Sequence, residues 1–364
     1  MTPSKDRSFC VVLPCLNEES RIQACLSSIL AFDLPAGGSL TVVVLDGGST
    51  DRTKPIAERI ALKDPRVRVI DNPRRMQAAA VNICVSEIRA DYYLWLGSHC
   101  RFSQDYLVRC YDAIMSSGAQ MAGGVCVTLP GGRGYGAQIV QAITTHRFGV
   151  GGSAFRLGGP SRFVDTVAYA LIDAKVFQEI GLLDERLRRA QDYEFNCRLR
   201  SSGGRIMMVP EATAEYFNIG LFWAFIRKQM LLEGPYNAFL WFVAPYAFSL
   251  RHAVTLFFVA FVLLAAVLWT VPHAQAVAIV VGILYSILAL AASTSQAIRF
   301  RRPSFVLTLP IAFLTFHLAH GLGVWSGVLR VIAGATPLKL GTAMWPNGPI
   351  GRSRPRNIAQ FRGD

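Results

Sequence analysis

Along the first two hundred residues, short apolar runs alternate with stretches whose apolar positions recur every three or four residues. Residues 9–12 form an apolar run of strand length ending at Pro14. Asn17, Glu18 and Glu19 open a helix whose Ile22, Cys25, Leu26, Ile29 and Leu30 repeat at helical spacing. Residues 42–45 are apolar and mostly β-branched, as in a strand covered on both faces. Gly47 and Gly48 then permit a tight turn, and Ser49, Thr50, Asp51 and Thr53 can cap a helix running through Ile56, Ile60 and Leu62. Residues 67–70 and 92–96 read as further strands, the latter ending at Gly97-Ser98-His99. Met76, Ala80, Ile83, Cys84 and Ile88 mark one more helix, and residues 103–115 another. The alternation predicts a doubly wound, mainly parallel α/β sheet with a nucleotide-type site at its carboxyl edge, where Asp46 would sit. Turns of this kind also occur with no ligand, so placement alone assigns no function.

Residues 118–165 are glycine-rich and read as irregular, with one helix over 138–145. A short helix over 173–180 stops at Gly181, and another begins at Gln191-Asp192-Tyr193-Glu194 and ends near Gly203, before a strand over 205–209. Beyond Tyr216 the character shifts. Residues 222–248 mix Trp, Phe and Tyr with Arg227 and Lys228, as at a membrane interface. Three long apolar stretches follow, 253–271, 274–295 and 305–329. Each is long enough to cross a hydrocarbon core of about 30 Å. The organisation expected is a catalytic-type α/β region over 1–218, an interfacial segment over 219–252, membrane helices over 253–332 and a basic tail over 333–364.

The connection Arg299-Phe300-Arg301-Arg302 is strongly basic, which argues for the cytoplasmic side and keeps Arg251 and the first half there. Three crossings would put the tail outside, although it carries Lys339, Arg352, Arg354, Arg356 and Arg362. Either residues 239–250 join the membrane, or the third stretch re-enters, or the tail is an exception. His317, His320 and Gly321-Leu322-Gly323 lie in that third stretch. They fit a polar bundle interior or a small-residue packing seam.

Composition agrees with two different halves. The chain is 52% hydrophobic with mean hydropathy +0.34, and the excess falls after residue 235. Its net charge of +13 suits membrane-facing Lys and Arg, and no nucleic-acid-binding motif accompanies it. The eight cysteines lie between Cys10 and Cys197 with no C-x-x-C pair, which argues against a zinc ribbon or thioredoxin-type site and for reduced core fillers. The polar start and the short run at 9–13 do not read as a signal peptide.

Several motifs occur in a fixed order: Val11-Val12-Leu13-Pro14 with Asn17-Glu18, Asp46-Gly47-Gly48-Ser49-Thr50-Asp51, Asn72-Pro73 and Asn82. Phe148-Gly149-Val150-Gly151, Val164-Asp165-Thr166-Val167, Gly181 with Asp184-Glu185, and Gln191-Asp192-Tyr193-Glu194 complete the series. In this order the chain resembles glycosyltransferase family 2, the inverting GT-A type. It is most similar to the membrane-associated branch that builds bacterial exopolysaccharides such as succinoglycan.

The resemblance implies a GT-A doubly wound mixed sheet and a catalytic domain on the cytoplasmic face of the bacterial inner membrane. It implies transfer of a sugar from a nucleotide sugar, UDP-linked in this reading, to a lipid-linked saccharide. Pro14, Asn17, Glu18, Asp46, Gly48, Ser49 and Asp51 would hold the nucleotide, and Asp192 would be the catalytic base. Asp165, Gln191 and Arg74 would face substrate. The family's Asp-x-Asp or Asp-x-His element, which holds Mg2+ or Mn2+, should stand at the end of the strand over 92–96. Here it reads Gly97-Ser98-His99, leaving His99 alone as a metal ligand. Three outcomes follow: a metal held by His99 and the diphosphate itself, aided by another carboxylate such as Asp165, cations such as Arg74 or Arg75 in its place, or an impaired enzyme. Residues 227–230 read Arg-Lys-Gln-Met and miss the processive Gln-x-x-Arg-Trp signature. A non-catalytic nucleotide-sugar- or glycolipid-binding scaffold and a polyprenyl-phosphate sugar synthase are the alternatives.

Overall fold

The structure is a computed structural model and describes residues 6–336, so the basic tail beyond them lies outside the described residues. The elements in chain order are β1 (Arg7–Cys15), α1 (Ile22–Leu30), β2 (Gly38–Asp46), α2 (Thr53–Ala61), β3 (Val67–Asp71), α3 (Gln77–Glu87), β4 (Tyr92–Trp95), β5 (Cys100–Phe102), α4 (Tyr106–Ser117) and β6 (Met121–Leu129). Then come α5 (Tyr135–Thr144), α6 (Arg147–Val150), α7 (Ala154–Leu157), β7 (Arg162–Val164), β8 (Leu171–Asp173), α8 (Ala174–Ile180), α9 (Gln191–Ser201) and β9 (Ile206–Phe217). The last helices are α10 (Phe222–Lys228), α11 (Gly234–Val243), α12 (Leu250–Val267), α13 (Pro272–Arg299) and α14 (Phe305–Ile332).

Two compact units result. Among the described residues, one comprises 6–127 and 158–216, the other 128–157 and 217–336. The first unit is built on a sheet of order β3-β2-β1-β4-β8-β6-β9-β5, with β7 beside β9. β3, β2, β1 and β4 run parallel, whereas β8 is antiparallel to β4 and to β6, and β5 and β7 are antiparallel to β9. The sheet is therefore mixed, with its parallel half first in the chain. Val11, Leu13, Val42 and Val44 pack with Ile22, Cys25, Leu26 and Ile29 of α1 in one core. Each such aliphatic side chain contributes about 1.5–3 kcal/mol when fully buried. All eight cysteines are buried, as core fillers should be.

One expectation fails. The glycine-rich stretch 118–165 is not irregular: it holds β6, α5, α6, α7 and β7. Its glycines mark close approach. A Cβ on Gly123 would stand 2.7 Å from the Ala168 carbonyl, and one on Gly124 would stand 1.9 Å from the Ala212 carbonyl. Only a residue without a side chain lets backbone pass there.

In the second unit, α12, α13 and α14 are long and apolar enough to cross a membrane, by length and composition. α14 is one continuous helix despite Pro310. Both readings of its polar and small residues hold. His317 Nε2 lies 2.9 Å from the Phe148 carbonyl, and its Nδ1 lies 2.9 Å from the Tyr285 hydroxyl. A carbonyl only accepts, so Nε2 carries the proton and Nδ1 accepts from Tyr285. His320 has the opposite tautomer: Asn237 Nδ2 donates to Nε2 at 3.2 Å, and Nδ1 donates to Thr255 Oγ1 at 2.8 Å. On the same helix, Cβ atoms added at Gly321, Gly323 and Gly327 would stand 2.3, 2.5 and 2.6 Å from the carbonyl oxygens of Thr255, Met230 and Pro235. Gly321→Val should therefore lower thermal stability in detergent, at a cost of about 1–3 kcal/mol or more. Leu322→Ala, at an exposed position, is the control that should leave the melting temperature nearly unchanged.

Candidate active site

Because β1 to β4 are parallel, their carboxyl ends share one edge, and the loops after them are clasped together there. Gly47 N donates to the Cys15 carbonyl at 2.9 Å, which joins the ends of β2 and β1. Asp46, only 1% exposed, turns Oδ2 toward the backbone N–H groups of Gly48 and Ser49, each at 2.9 Å. Cys15 Sγ lies 3.8 Å from its Oδ1. Burial first, and then the Asp46 carboxylate, pushes the Cys15 thiol well up, so the sulfur keeps its proton. Gly48 has φ 75°, a conformation its lack of Cβ makes inexpensive.

Across the edge, Asn17 Oδ1 accepts from Thr50 N at 2.8 Å, and Asn17 N donates to Ser49 Oγ at 3.0 Å. Glu18 N donates to Thr53 Oγ1 at 2.6 Å, and Glu19 N donates to Asp51 Oδ2 at 3.1 Å. Asp51 Oδ1 also accepts from Thr53 N at 2.9 Å, just ahead of α2. The motif residues after β1 and β2 thus form one hydrogen-bonded clasp. Pro14 is buried within β1, opposite Leu45. The helix expected from Asn17 onward begins only at Ile22, because residues 17–19 spend their polar groups on this clasp.

Asp192 is exposed on the first turn of α9. Its neighbour Gln191 is buried and donates from Nε2 to Gln77 Oε1 at 2.8 Å. Gln77 opens α3, which follows the carboxyl end of β3, so this bond brings the start of α9 to the clasp's edge. Asn82 makes a second strut: it accepts from Leu183 N at 3.0 Å and donates to the Leu183 carbonyl at 3.0 Å and to Glu185 Oε1 at 2.9 Å. Arg74 spends its guanidinium on an ion pair with Glu185. Within α9, buried Glu194 pairs with buried Arg198 at 2.8 Å. Arg198 also donates to the carbonyls of Ile180 and Leu182 at 2.6 and 2.9 Å. Asp165 is half-buried beside Thr166, whose hydroxyl accepts from Asn196 Nδ2 of α9 at 2.7 Å.

After β4, His99 Nδ1 lies 3.5 Å from Glu18 Oε1, and its ring meets Tyr216 edge-on at 5.3 Å. The space beside Gly97 is taken by Tyr169, whose ring would stand 3.0 Å from a Cβ there. The Tyr169 hydroxyl accepts from Cys100 Sγ at 3.0 Å, and its carbonyl accepts from the Tyr106 hydroxyl at 2.8 Å. Burial pushes its phenol well up. Gly97→Ala should accordingly cost about 1–3 kcal/mol, read as a lower unfolding midpoint, because Tyr169 is pinned at both ends.

Backbone strain gathers at this edge. Among the described residues, the non-glycine positions with positive φ are Asn17, Arg75, Tyr169, Ala190 and Arg301. The first four belong to the loops around the clasp. Such strain is retained where surrounding structure enforces it, and it concentrates at functional sites. Gln77, Tyr169 and Arg198 had no sequence signal of function. Their importance lies in contacts between residues far apart in the chain.

The family description "Glycosyl transferase family 2" matches residues 10–181. The succinoglycan biosynthesis protein ExoA of Rhizobium meliloti (strain 1021) is 32% identical over 267 residues, 68% of this chain and 78% of that protein. The chain belongs to glycosyl transferase family 2. A second relative, the dolichyl N-acetyl-alpha-D-glucosaminyl phosphate 3-beta-D-2,3-diacetamido-2,3-dideoxy-beta-D-glucuronosyltransferase of Methanococcus voltae, is 24% identical over 88% of this chain and 97% of its own. Among solved structures, the mannosyltransferase PcManGT from Pyrobaculum calidifontis, with GDP-Man and Mn2+, covers 90% of this chain and 88% of its own. Its TM-score of 0.55 at 17% identity shows the shared fold. This member of the family is a glycosyltransferase of the GT-A architecture, working in polysaccharide or glycolipid biosynthesis.

Proposed function

We propose that this enzyme inverts configuration as it moves a sugar from a nucleotide sugar, UDP-linked, to a lipid-linked saccharide. The observation that supports the reading is the Gln191–Gln77 bond, which ties the first turn of α9, with exposed Asp192, to the start of α3 behind the carboxyl end of β3. In this reading the clasp residues Pro14, Asn17, Glu18, Asp46, Gly48, Ser49 and Asp51 form the nucleotide end. Asp192 takes the proton from the acceptor hydroxyl while that oxygen bonds to the anomeric carbon. The bond from that carbon to the diphosphate oxygen breaks, and its electron pair leaves with the diphosphate. Gln191 positions Asp192, and Asp165 borders the sugar.

The dolichyl-linked acceptor in the name of the Methanococcus voltae relative supports a lipid-linked acceptor, as do three helices able to cross a membrane. Those helices would hold the chain in the bacterial inner membrane, with the basic connection after α13 on the cytoplasmic side. A polar layer of His317 and His320 inside the bundle suits that role.

PcManGT is solved with Mn2+. After β4, His99 Nδ1 stands 3.5 Å from Glu18 Oε1, which follows β1. Among the described residues no group of three or more His, Cys, Asp or Glu side chains gathers to hold an ion. Mg2+ asks for near-octahedral oxygen ligation, and one imidazole with one carboxylate is a poor match. The donor set does not fit a resident ion.

Product analysis tests the reading. Membranes bearing the enzyme, given UDP-sugars and a lipid-linked saccharide, should yield a product heavier by one sugar, of inverted anomeric configuration by NMR. A sugar found instead on the lipid phosphate itself would make the enzyme a polyprenyl-phosphate sugar synthase.

A further inference from the structure

The donor proposed above ends in a diphosphate, whose charge must be met by protein cations or a metal. A carboxylate beside His99 at position 97 would press on the Tyr169 ring, which would stand 3.0 Å from its Cβ and is held at both ends. Some cations along the carboxyl edge of the parallel strands are committed, while Arg52 and Arg75 have no side-chain partner among the described residues. Lys54 is paired with Asp71 at 2.7 Å, and Arg74 is paired with Glu185. Arg75 differs. It is exposed, and among the described residues its guanidinium has no hydrogen-bond or ion-pair partner.

Arg75 is also held in place. Asn72 N donates to the Asp46 carbonyl at 2.7 Å, Asn72 Nδ2 to the Met76 carbonyl at 2.9 Å, and Arg75 N to the Asn72 carbonyl at 3.0 Å. The Arg75 Cα would lie 3.7 Å from a Cβ on Gly47, so the loop rests on the turn that carries Gly48 and Ser49. Its φ is 55°, which a long side chain seldom adopts. Three ties and a strained backbone thus fix an uncommitted planar cation beside the turn after β2. Arginine presents paired donors that match phosphate oxygens.

We propose that Arg75 binds the diphosphate of the nucleotide sugar, and that this enzyme binds its donor nucleotide without a divalent cation. The inference rests on the donor-site reading above. It is tested on the purified full chain by calorimetric titration with UDP, GDP and the nucleosides uridine and guanosine, in EDTA or in Mn2+. Nucleosides lack the phosphates, so the ratio of diphosphate to nucleoside affinity isolates the phosphate contribution. The expected result is UDP binding that EDTA changes less than about twofold. Arg75→Ala should weaken UDP about tenfold or more with uridine unchanged, and Arg75→Lys should recover part of the loss. Arg66→Ala should leave the UDP-to-uridine ratio intact, because its guanidinium is paired with Asp64 just ahead of β3, at the opposite end of the strand. UDP binding that requires Mn2+, or an Arg75→Ala ratio equal to wild type, overturns the proposal while leaving the donor site standing. Failure of both UDP and GDP to bind under every condition overturns the donor-site reading itself.

Discussion

Replacing Asp192 by Asn is expected to cut sugar transfer about 10³-fold while nucleotide binding stays within about twofold. Asn keeps the size and hydrogen-bonding shape of the side chain but cannot take a proton. General-base catalysis typically contributes 10² to 10⁴, which sets the scale. Loss of a negative charge on the first turn of α9 weakens the favourable interaction with the helix dipole by only about 0.3–1 kcal/mol, so folding should survive. The pattern to look for is a fall in kcat with unchanged UDP affinity and a melting temperature close to wild type. A parallel loss of binding and stability would instead assign Asp192 to the architecture of α9. Measuring turnover, calorimetric UDP affinity and thermal unfolding on one preparation separates the two.

Arg198→Leu is the substitution with the largest expected cost in stability. The change removes the guanidinium that pairs with Glu194, whose side chain is 1% exposed. It also strips donors from the Ile180 and Leu182 carbonyls, which shape the approach to α9. Breaking a buried pair from one side costs about 3–5 kcal/mol, against about 5–15 kcal/mol for a whole domain. The variant should express poorly and unfold at clearly lower denaturant. Removing both charges, as in Glu194→Leu with Arg198→Leu, should cost less than Arg198→Leu alone, because the carboxylate then goes with its partner. Equal loss in the single and double variants would show that the carbonyl contacts, rather than the Glu194 carboxylate, dominate.

Much of this framework was legible in residue order. The apolar runs behind Asp46 and Trp95, and the helical repeat from Ile22 to Ile29, are local patterns, and local patterns fix β1 to β4 and the helices between them. The motif residues after β1 and β2 could be read as a group, although not the hydrogen bonds that join Asn17 to Thr50 or Glu18 to Thr53. The stretch 118–165 was misread because glycines such as Gly123 and Gly124 signal loops in sequence. In the sheet they allow backbone to pass close to Ala168 and Ala212. Tyr169 and Gln77 were invisible for another reason. Tyr169 matters only through the space beside Gly97, and Gln77 only through Gln191, more than a hundred residues away. The histidines of α14 were ambiguous between polar site and packing seam, and the three-dimensional arrangement supplies both, each ring satisfied by two partners.

The account stands or falls on transfer to lipid. Membranes carrying the wild-type enzyme and membranes carrying Asp192→Asn would be incubated side by side with labelled UDP- and GDP-sugars, then extracted with organic solvent. The account predicts label in the lipid fraction from the wild type with at least one donor, resistant to EDTA, and almost none from Asp192→Asn. Equal label in both membranes, or no label from any donor while UDP still binds, would contradict it.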